Sequence, residues 1–377
     1  MPLIVRWKRI EGVMVLRAET MRYKLVCSSC NSEYDMSYKS QICSRCNGIL
    51  RVEYYYNDIT DKDLQLRSYR SLTRVLPKSN YGYYILGDTK LLRDIKDKAL
   101  YLKLETENPT RSFKDRGSIV EISKAIDYNY KEIVCASTGN MAYSLSYYSR
   151  INKIKARVYI SKDAVESKID LIRSNNAEIV NIDGDFTKAQ EEALKYSISN
   201  NAFLTGDYCY RMEGQRVVTL EIFKQMRALK KSVDNIILPV GNATLLSATE
   251  KAIDELYRFK LIRDKPTVIA VQSAQCDPFV KAYEKDRSIE YVKPSTIADA
   301  IAVGYPTFGD SALEWLKENN GYALSVSDKE LVEARDYFAG KYNLIIETAS
   351  ASVIAAYNRI RDRLDGYTVA IITGANE

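Results

Sequence analysis

The chain has 377 residues, 46% hydrophobic and 28% charged, the balance of a globular protein with room for two or three cored domains. Its 55 basic and 49 acidic residues leave +6, spread too evenly to argue for nucleic acid, and no apolar run nears the ~20 residues of a membrane span. Histidine is absent, which removes Ser-His-Asp and Cys-His nucleophiles, imidazole-bound zinc and imidazole acid–base chemistry together; proton transfer must use Lys, Tyr, Asp, Glu, Cys, a cofactor or water.

Residues 1–20 mix charge into the apolar run Pro2 to Arg9, so they lack the uninterrupted core of a signal peptide. Glu11 and Glu19 are foreign to an organelle transit peptide. We read 1–20 as a dispensable extension, with translation starting at Met21 or Met14, and expect a cytoplasmic protein. Cys27-Ser28-Ser29-Cys30 follows, then twelve residues, then Cys43-Ser44-Arg45-Cys46. Two C-x-x-C knuckles at this spacing predict a zinc ribbon over 21–54. Four thiolates from Cys27, Cys30, Cys43 and Cys46 close a tetrahedral site and leave no place for a reactive water, so the zinc is structural. The rival reading is a nucleic-acid or partner-binding ribbon, but Lys39 and Arg45 make no basic patch. Alternation around the knuckles (Tyr23, Leu25; Ile49, Arg51, Glu53) predicts short strands. Cys135, Cys209 and Cys276 are scattered, and the cluster of four reads as metal binding in a reducing compartment rather than as disulfides.

Residues 54–77 form an aromatic, charged connector with one helical pattern, roughly Asp61 to Leu76. From Leu100 onward apolar, β-branched runs at 100–104, 133–135, 156–160, 178–182, 236–240, 268–271 and 369–372 alternate with helical patterns such as Ser118 to Ile126 and Ala142 to Arg150. That alternation predicts an α/β fold with parallel sheets flanked by helices. Sites in such sheets gather at the carboxyl ends of the strands, where four polar stretches fall. The first is Glu107 to Gly117, whose Lys114 amine can form a Schiff base with a carbonyl. Next is Ala136-Ser137-Thr138-Gly139-Asn140, small residues at a helix start that suit an anion. Pro239 to Leu246 can turn successive N–H groups towards a phosphate. Ile372-Thr373-Gly374 ends the last strand. Arg211-Met212-Glu213-Gly214-Gln215-Arg216 adds a planar guanidinium suited to phosphate or carboxylate. Each alone has a plain reading: a solvated lysine, a capping turn, a surface arginine.

Taken together they carry a resemblance. Ser112-Phe113-Lys114-Asp115-Arg116-Gly117 resembles the cofactor-lysine motif of the threonine synthases, pyridoxal phosphate (PLP) enzymes of the type II, tryptophan synthase β-like fold. The 137–140, 211–216, 241–245 and 372–374 stretches resemble further segments of that family, as do Leu86 to Leu91 and Ser295 to Gly304 more loosely. Several threonine synthases also carry a ribbon ahead of the PLP domains. The resemblance implies a large PLP domain over 55–118 and 208–377 and a small domain, 119–207, inserted in it. It implies that Lys114 carries PLP and shuttles protons, that Asn140 bonds the PLP phenolic oxygen, and that Gly241, Asn242, Ala243, Thr244 and Leu245 hold its phosphate. It implies that Thr373 meets the pyridine nitrogen, that Ser137, Thr138 and Gly139 grip the substrate carboxylate, and that Arg211, with Arg111, meets a substrate phosphate.

The implied reaction takes O-phospho-L-homoserine and water to L-threonine and phosphate, in a homodimer that binds neither nucleic acid nor membrane. The chain departs from the family pattern at Arg111, Met141 and Tyr208, where the family has glycine, threonine and asparagine, and at Ala243 and Thr244, where it has glycines. Replacing two polar phosphate contacts by Met and Tyr weakens an anion's hold in a dry pocket. The alternatives are a diverged relative performing β-replacement (cysteate synthase-like) or dehydration on another amino acid, or a PLP-holding protein without turnover.

Overall fold

The expected strands at 133–135, 156–160, 178–182, 236–240, 268–271 and 369–372 are all present, four of them one to three residues longer than their apolar runs, and they assemble into two parallel sheets. The computed structural model describes residues 7–10, 13–16, 22–67, 71, 74–79, 83–84, 87–161, 166–184 and 186–376. Contacts divide the chain into two units, 1–86 with 114–214, and 87–113 with 215–377.

The first unit holds a four-stranded sheet in the order Glu178–Ile182, Lys155–Ser161, Glu132–Ala136, Phe203–Leu204, parallel throughout. Ile133, Val134 and Cys135 are wholly buried, which is why this stretch reads as a continuous apolar run rather than an alternating one. The same unit contains the ribbon, a three-stranded antiparallel sheet in the order Glu33–Asp35, Tyr23–Cys27, Leu50–Tyr54. Residues 1–20, read as an extension, lie largely outside the described residues. The described pair Trp7–Ile10 and Val13–Leu16 is antiparallel, and the latter pairs with Tyr83–Tyr84.

The second unit holds a six-stranded sheet in the order Tyr322–Val326, Thr267–Ser273, Asn235–Pro239, Thr368–Ile372, Leu100–Leu104, Leu91–Arg93, parallel except for the last pair. The helix Thr348–Ile360 supplies much of its core: Ala349, Ala351, Val353, Ala355 and Ala356 pack with Leu102, Ile237, Ile269, Ala370 and Ile372. At the other end of the same unit Asp94 is 3% exposed and receives the Lys341 ammonium, the Tyr342 hydroxyl and the N–H groups of Lys96 and Asp97.

Two helices differ from the sequence reading. The pattern over 61–76 is interrupted: Asp61–Leu64 is an α-helix, Leu66 turns into the left-handed region, φ 47°, and Ser71 and Arg74 are helical again among the described residues. The helix expected from Ser118 begins four residues earlier, Lys114–Asp127, and runs through Gly117. No helix among the described residues is long and apolar enough to cross a membrane.

Candidate active site

In the second unit three of the anticipated loops leave neighbouring parallel strands at one end. Strand Thr368–Ile372 lies between Leu100–Leu104 and Asn235–Pro239. Thr373, the run towards Arg111 and the turn at 241–243 therefore all emerge at the carboxyl edge of adjacent strands, where parallel sheets place their ligands.

Backbone bonds fix two of the three together. Ser112 bridges Gly374, the Phe113 N–H donates to the Thr373 carbonyl at 2.9 Å, and the Ala375 N–H donates to the Arg111 carbonyl at 3.1 Å. Arg111 itself is exposed and has φ 55°. The Thr373 hydroxyl, 4% exposed, lies 2.9 Å from that of Ser350, which also accepts from the Gly374 N–H at 2.8 Å. Ser350 was absent from the sequence reading; it is one serine in an Ala/Ser-rich helix with nothing local to mark it.

The turn after Asn235–Pro239 puts Ala243 in the left-handed region, φ 61°, as N-cap of the helix Thr244–Arg258. A left-handed residue at a helix start turns successive N–H groups outward, which suits a phosphate. Here alanine adopts a conformation that glycine adopts at lower cost. Ala243, Thr244 and Leu245 are buried, Gly241 and Asn242 are half-buried, and the Asn242 side chain accepts from Thr307.

In the first unit Lys114 opens its helix and is half-buried. Asn140 opens the helix Asn140–Asn152 behind the Ser137-Thr138-Gly139 loop, with Gly139 as N-cap. Ser137 and Asn140 are each 8% exposed. A methyl built on Gly139 meets nothing within 4 Å. The loop therefore borders open space beside the N-terminus of a thirteen-residue helix, an arrangement that suits a carboxylate. The two helices are joined by the Ser144 hydroxyl, 2.6 Å from Asp115 Oδ1 and 2.8 Å from Ser118 Oγ.

Arg211 is placed differently from what its motif suggested. It is fully buried, and its guanidinium is taken up by protein groups. Nε donates to the Gly206 carbonyl at 2.9 Å, Nη1 to the Lys114 carbonyl at 3.3 Å, and Nη2 to Ser118 Oγ and to Glu121. Burial pushes the Glu121 carboxyl up to about 7, against the pull of Arg211 and of the Gly206 N–H. Glu121 was missed by sequence reading, although an acid between Val120 and Ile122 on a core-facing helix is a signal for a buried pair. Of the departures from the family pattern, Met141 is 7% exposed and Tyr208 half-buried.

The helices Lys114–Asp127 and Cys209–Ala228 meet at two glycines. A methyl on Gly214 would fall 2.0 Å from the Arg116 carbonyl oxygen and 2.8 Å from Gly117 Cα; one on Gly117 would fall 2.6 Å from Arg211 Cγ. The glycines that end the Ser-Phe-Lys-Asp-Arg-Gly and Arg-x-Glu-Gly runs are thus one close contact seen from its two sides.

The ribbon's four sulfurs lie within 4.8 Å of one another, with Cys27–Cys46 and Cys30–Cys46 at 3.4 Å and Cys30–Cys43 at 3.7 Å. A tetrahedron with ~2.3 Å zinc–sulfur arms has edges of roughly 3.8 Å, so the thiols are spaced to take such an ion. The Ser29 and Arg45 N–H groups point at Cys27 and Cys43 sulfur at 3.4 Å, as thiolates prefer.

The profile of the family described as pyridoxal-phosphate dependent enzyme matches residues 85–374. Threonine synthase of Methanocaldococcus jannaschii is 31% identical over 371 residues, 92% of this chain and 91% of that protein. Threonine synthase of Methanosarcina acetivorans is 31% identical over 93% of this chain and 91% of its own. Among solved structures, a threonine deaminase isoform from Solanum lycopersicum matches with a TM-score of 0.66 at 22% identity, covering 77% of this chain and 84% of that one. A serine racemase from Dictyostelium discoideum matches with a TM-score of 0.61 at 27% identity, covering 74% and 87%. On this similarity, which runs through every motif loop from Lys114 to Thr373, the chain belongs to the pyridoxal-phosphate dependent enzymes.

Proposed function

We propose that the chain is a threonine synthase, converting O-phospho-L-homoserine and water to L-threonine and phosphate. The observation that carries this reading is the 31% identity to threonine synthases along 92% of the chain. Pyridoxal phosphate, when bound, supplies an electron sink for negative charge developing beside the substrate's amine-bearing carbon.

The chain's own groups support that chemistry as follows. Lys114, at the open start of its helix, tethers the cofactor and then moves protons at the substrate's α- and β-carbons. Ser137, Thr138 and Gly139 bind the substrate carboxylate at a helix N-terminus, and Asn140 donates to the cofactor's phenolic oxygen. Gly241 to Leu245 hold the cofactor phosphate, and Ser350 orients the Thr373 hydroxyl towards the ring nitrogen. Arg111, exposed at the mouth of its strand, is the cation for the substrate phosphate. Arg211, whose guanidinium is already taken up, acts on Lys114 rather than on substrate. Cys27, Cys30, Cys43 and Cys46 bind a structural zinc, and the working form is a homodimer.

A second reading, turnover of another amino acid by β-replacement or dehydration, is favoured by one observation: Met141 and Tyr208 put apolar surface where the family has hydrogen-bond donors. Phosphate release from O-phosphohomoserine, set beside turnover of phosphoserine and free threonine, separates the two. Activity with either of the last two, and none with the first, ends the threonine synthase reading.

A further inference from the structure

The ribbon is joined to the rest of its unit by buried polar bonds, and these converge on one turn. The Tyr210 N–H is among the donors that the helix Cys209–Ala228 cannot satisfy within itself. It is capped from the ribbon, by Gln41 Oε1 at 3.1 Å. The same amide donates to the Leu204 carbonyl at 2.9 Å, so one 2% exposed side chain fixes both segments. One turn on, Glu213 accepts from the Tyr54 hydroxyl at 2.5 Å. Between them the hydroxyls of Tyr23, Tyr210 and Tyr128 form a ring of 3.0, 2.7 and 3.3 Å beneath the Lys124 ammonium.

The helix presents its other side to Lys114. Tyr210 and Glu213 meet the ribbon; Arg211 and Gly214, each one residue further, meet the helix that Lys114 opens. The i, i+3 spacing makes these two separate stripes of one short helical segment. Hydrogen bonds made by a buried amide and a buried carboxyl are directional, so they set the rotation and axial position of the segment, which apolar packing alone leaves free. Gln41 stands two residues before Cys43, and Tyr54 ends the strand that pairs with the one ending in Cys27. Both are placed by the fold of the two knuckles, which a module of roughly 30 residues cannot hold by burial alone.

We propose that the four-cysteine ribbon is a positioning element for Lys114, acting through Gln41 and Tyr54 on the helix Cys209–Ala228 and through Arg211 on the start of the helix Lys114–Asp127, so that metal in the ribbon governs how firmly the cofactor is held. This rests on the assignment of Lys114 as the cofactor lysine.

The test uses the full-length holoenzyme and reads cofactor dissociation, the pH at which the bound cofactor's visible absorbance changes, and metal content. Tyr54→Phe and Gln41→Leu are compared with Arg51→Ala, an exposed ribbon residue whose ion pair among the described residues is with Glu53 on the same strand. Each of the first two is expected to weaken cofactor retention roughly tenfold, the effect of one lost bond to a charged or buried partner, and to shift the absorbance pH, with metal content unchanged. Tyr54→Phe combined with Glu213→Gln is expected to cost no more than the worse single change. Stripping metal from the wild-type protein with a chelator should reproduce the loss, and added zinc should reverse it. Retention and absorbance pH in Tyr54→Phe equal to those of Arg51→Ala overturn the proposal, as does a stripped ribbon that holds cofactor normally; if Gln41→Leu does not fold, Tyr54→Phe decides. The underlying assignment fails separately, when borohydride reduction and peptide mapping place the pyridoxyl group on a peptide without Lys114.

Discussion

Gly214→Ala adds one methyl at the crossing of the helices Lys114–Asp127 and Cys209–Ala228. The new carbon falls 2.0 Å from the Arg116 carbonyl oxygen, 2.5 Å from its carbonyl carbon and 2.8 Å from Gly117 Cα, where ordinary contact begins at 3.4 Å. The helices must therefore separate by 3.4 − 2.0 = 1.4 Å along the worst contact. All three atoms are backbone, so no rotamer change relieves the overlap. Overpacking that side chains absorb costs ~1–3 kcal/mol; backbone that must move places this site at the top of that range, about 3 kcal/mol. The better helix propensity of alanine returns ~1 kcal/mol, leaving a net loss of about 2 kcal/mol. Urea unfolding measures it. Because Lys114 lies two residues from Arg116, cofactor retention is expected to fall as well. Gly340→Ala is the control: it lies exposed in the helix Asp328–Tyr342, and a methyl there meets nothing within 4 Å, so that variant gains ~0.5–1 kcal/mol. A Gly214→Ala protein as stable as the wild type, with Gly340→Ala behaving as stated, refutes the close-crossing argument.

Lys114→Ala is expected to abolish the bound cofactor's visible absorbance and all turnover; a variant whose cofactor is still fixed by borohydride shows the assignment to be wrong. Arg211→Met leaves Glu121 buried without its cation and is expected to cost about 3–5 kcal/mol, read from the urea midpoint. Cys43→Ser is expected to lower stability and metal content together, and full stability in that variant argues against a metal-held ribbon. Burial alone would raise the Asp94 carboxyl, but Lys341, Tyr342 and two backbone N–H groups hold it at about 2, below its ordinary 3.8. The native state then binds a proton less readily than the unfolded chain, so the stabilisation is full above pH ~4 and is lost as pH falls from ~4 to ~2. Asp94→Asn is expected to cost about 1–2 kcal/mol at pH 7 and little near pH 2; an equal cost at both pH values is the contrary result.

The sheets were legible because a strand buried on both faces leaves a continuous β-branched run, as at 133–135 and 236–240. The motif loops were legible because each follows such a run. What the sequence hid is how polar residues are used when they are buried. Gly117 read as the end of a loop because glycine weakens a helix; it lies inside one because Arg211 passes over it at a distance no Cβ allows. Arg211 read as a ligand because a guanidinium suits phosphate, but its partner Glu121 stands 90 residues away in sequence, and an acid within an apolar helical pattern does not by itself name the cation it meets. Gln41, Tyr54 and Ser350 carried no signal, since an amide or a hydroxyl becomes a cap only once the fold brings an unsatisfied N–H or hydroxyl to it.

The absence of histidine takes on a meaning beside these buried groups. An enzyme that moves protons at neutral pH needs a base near its working pH, and this chain offers no imidazole anywhere. On the proposed reading the proton carrier is the same amine that tethers the cofactor, so its placement decides both binding and turnover. That explains why so much buried polarity is arranged around one helix start: Arg211 on the Lys114 carbonyl, Ser144 on Asp115, and the Gly117–Gly214 contact between the two helices. At the carboxyl edge of the other sheet the group facing the ring would be a hydroxyl pair, Ser350 and Thr373, which is neutral. A neutral partner leaves the ring a weaker sink than a carboxylate would, which suits elimination and replacement chemistry better than transamination and matches the class of reaction proposed for this chain.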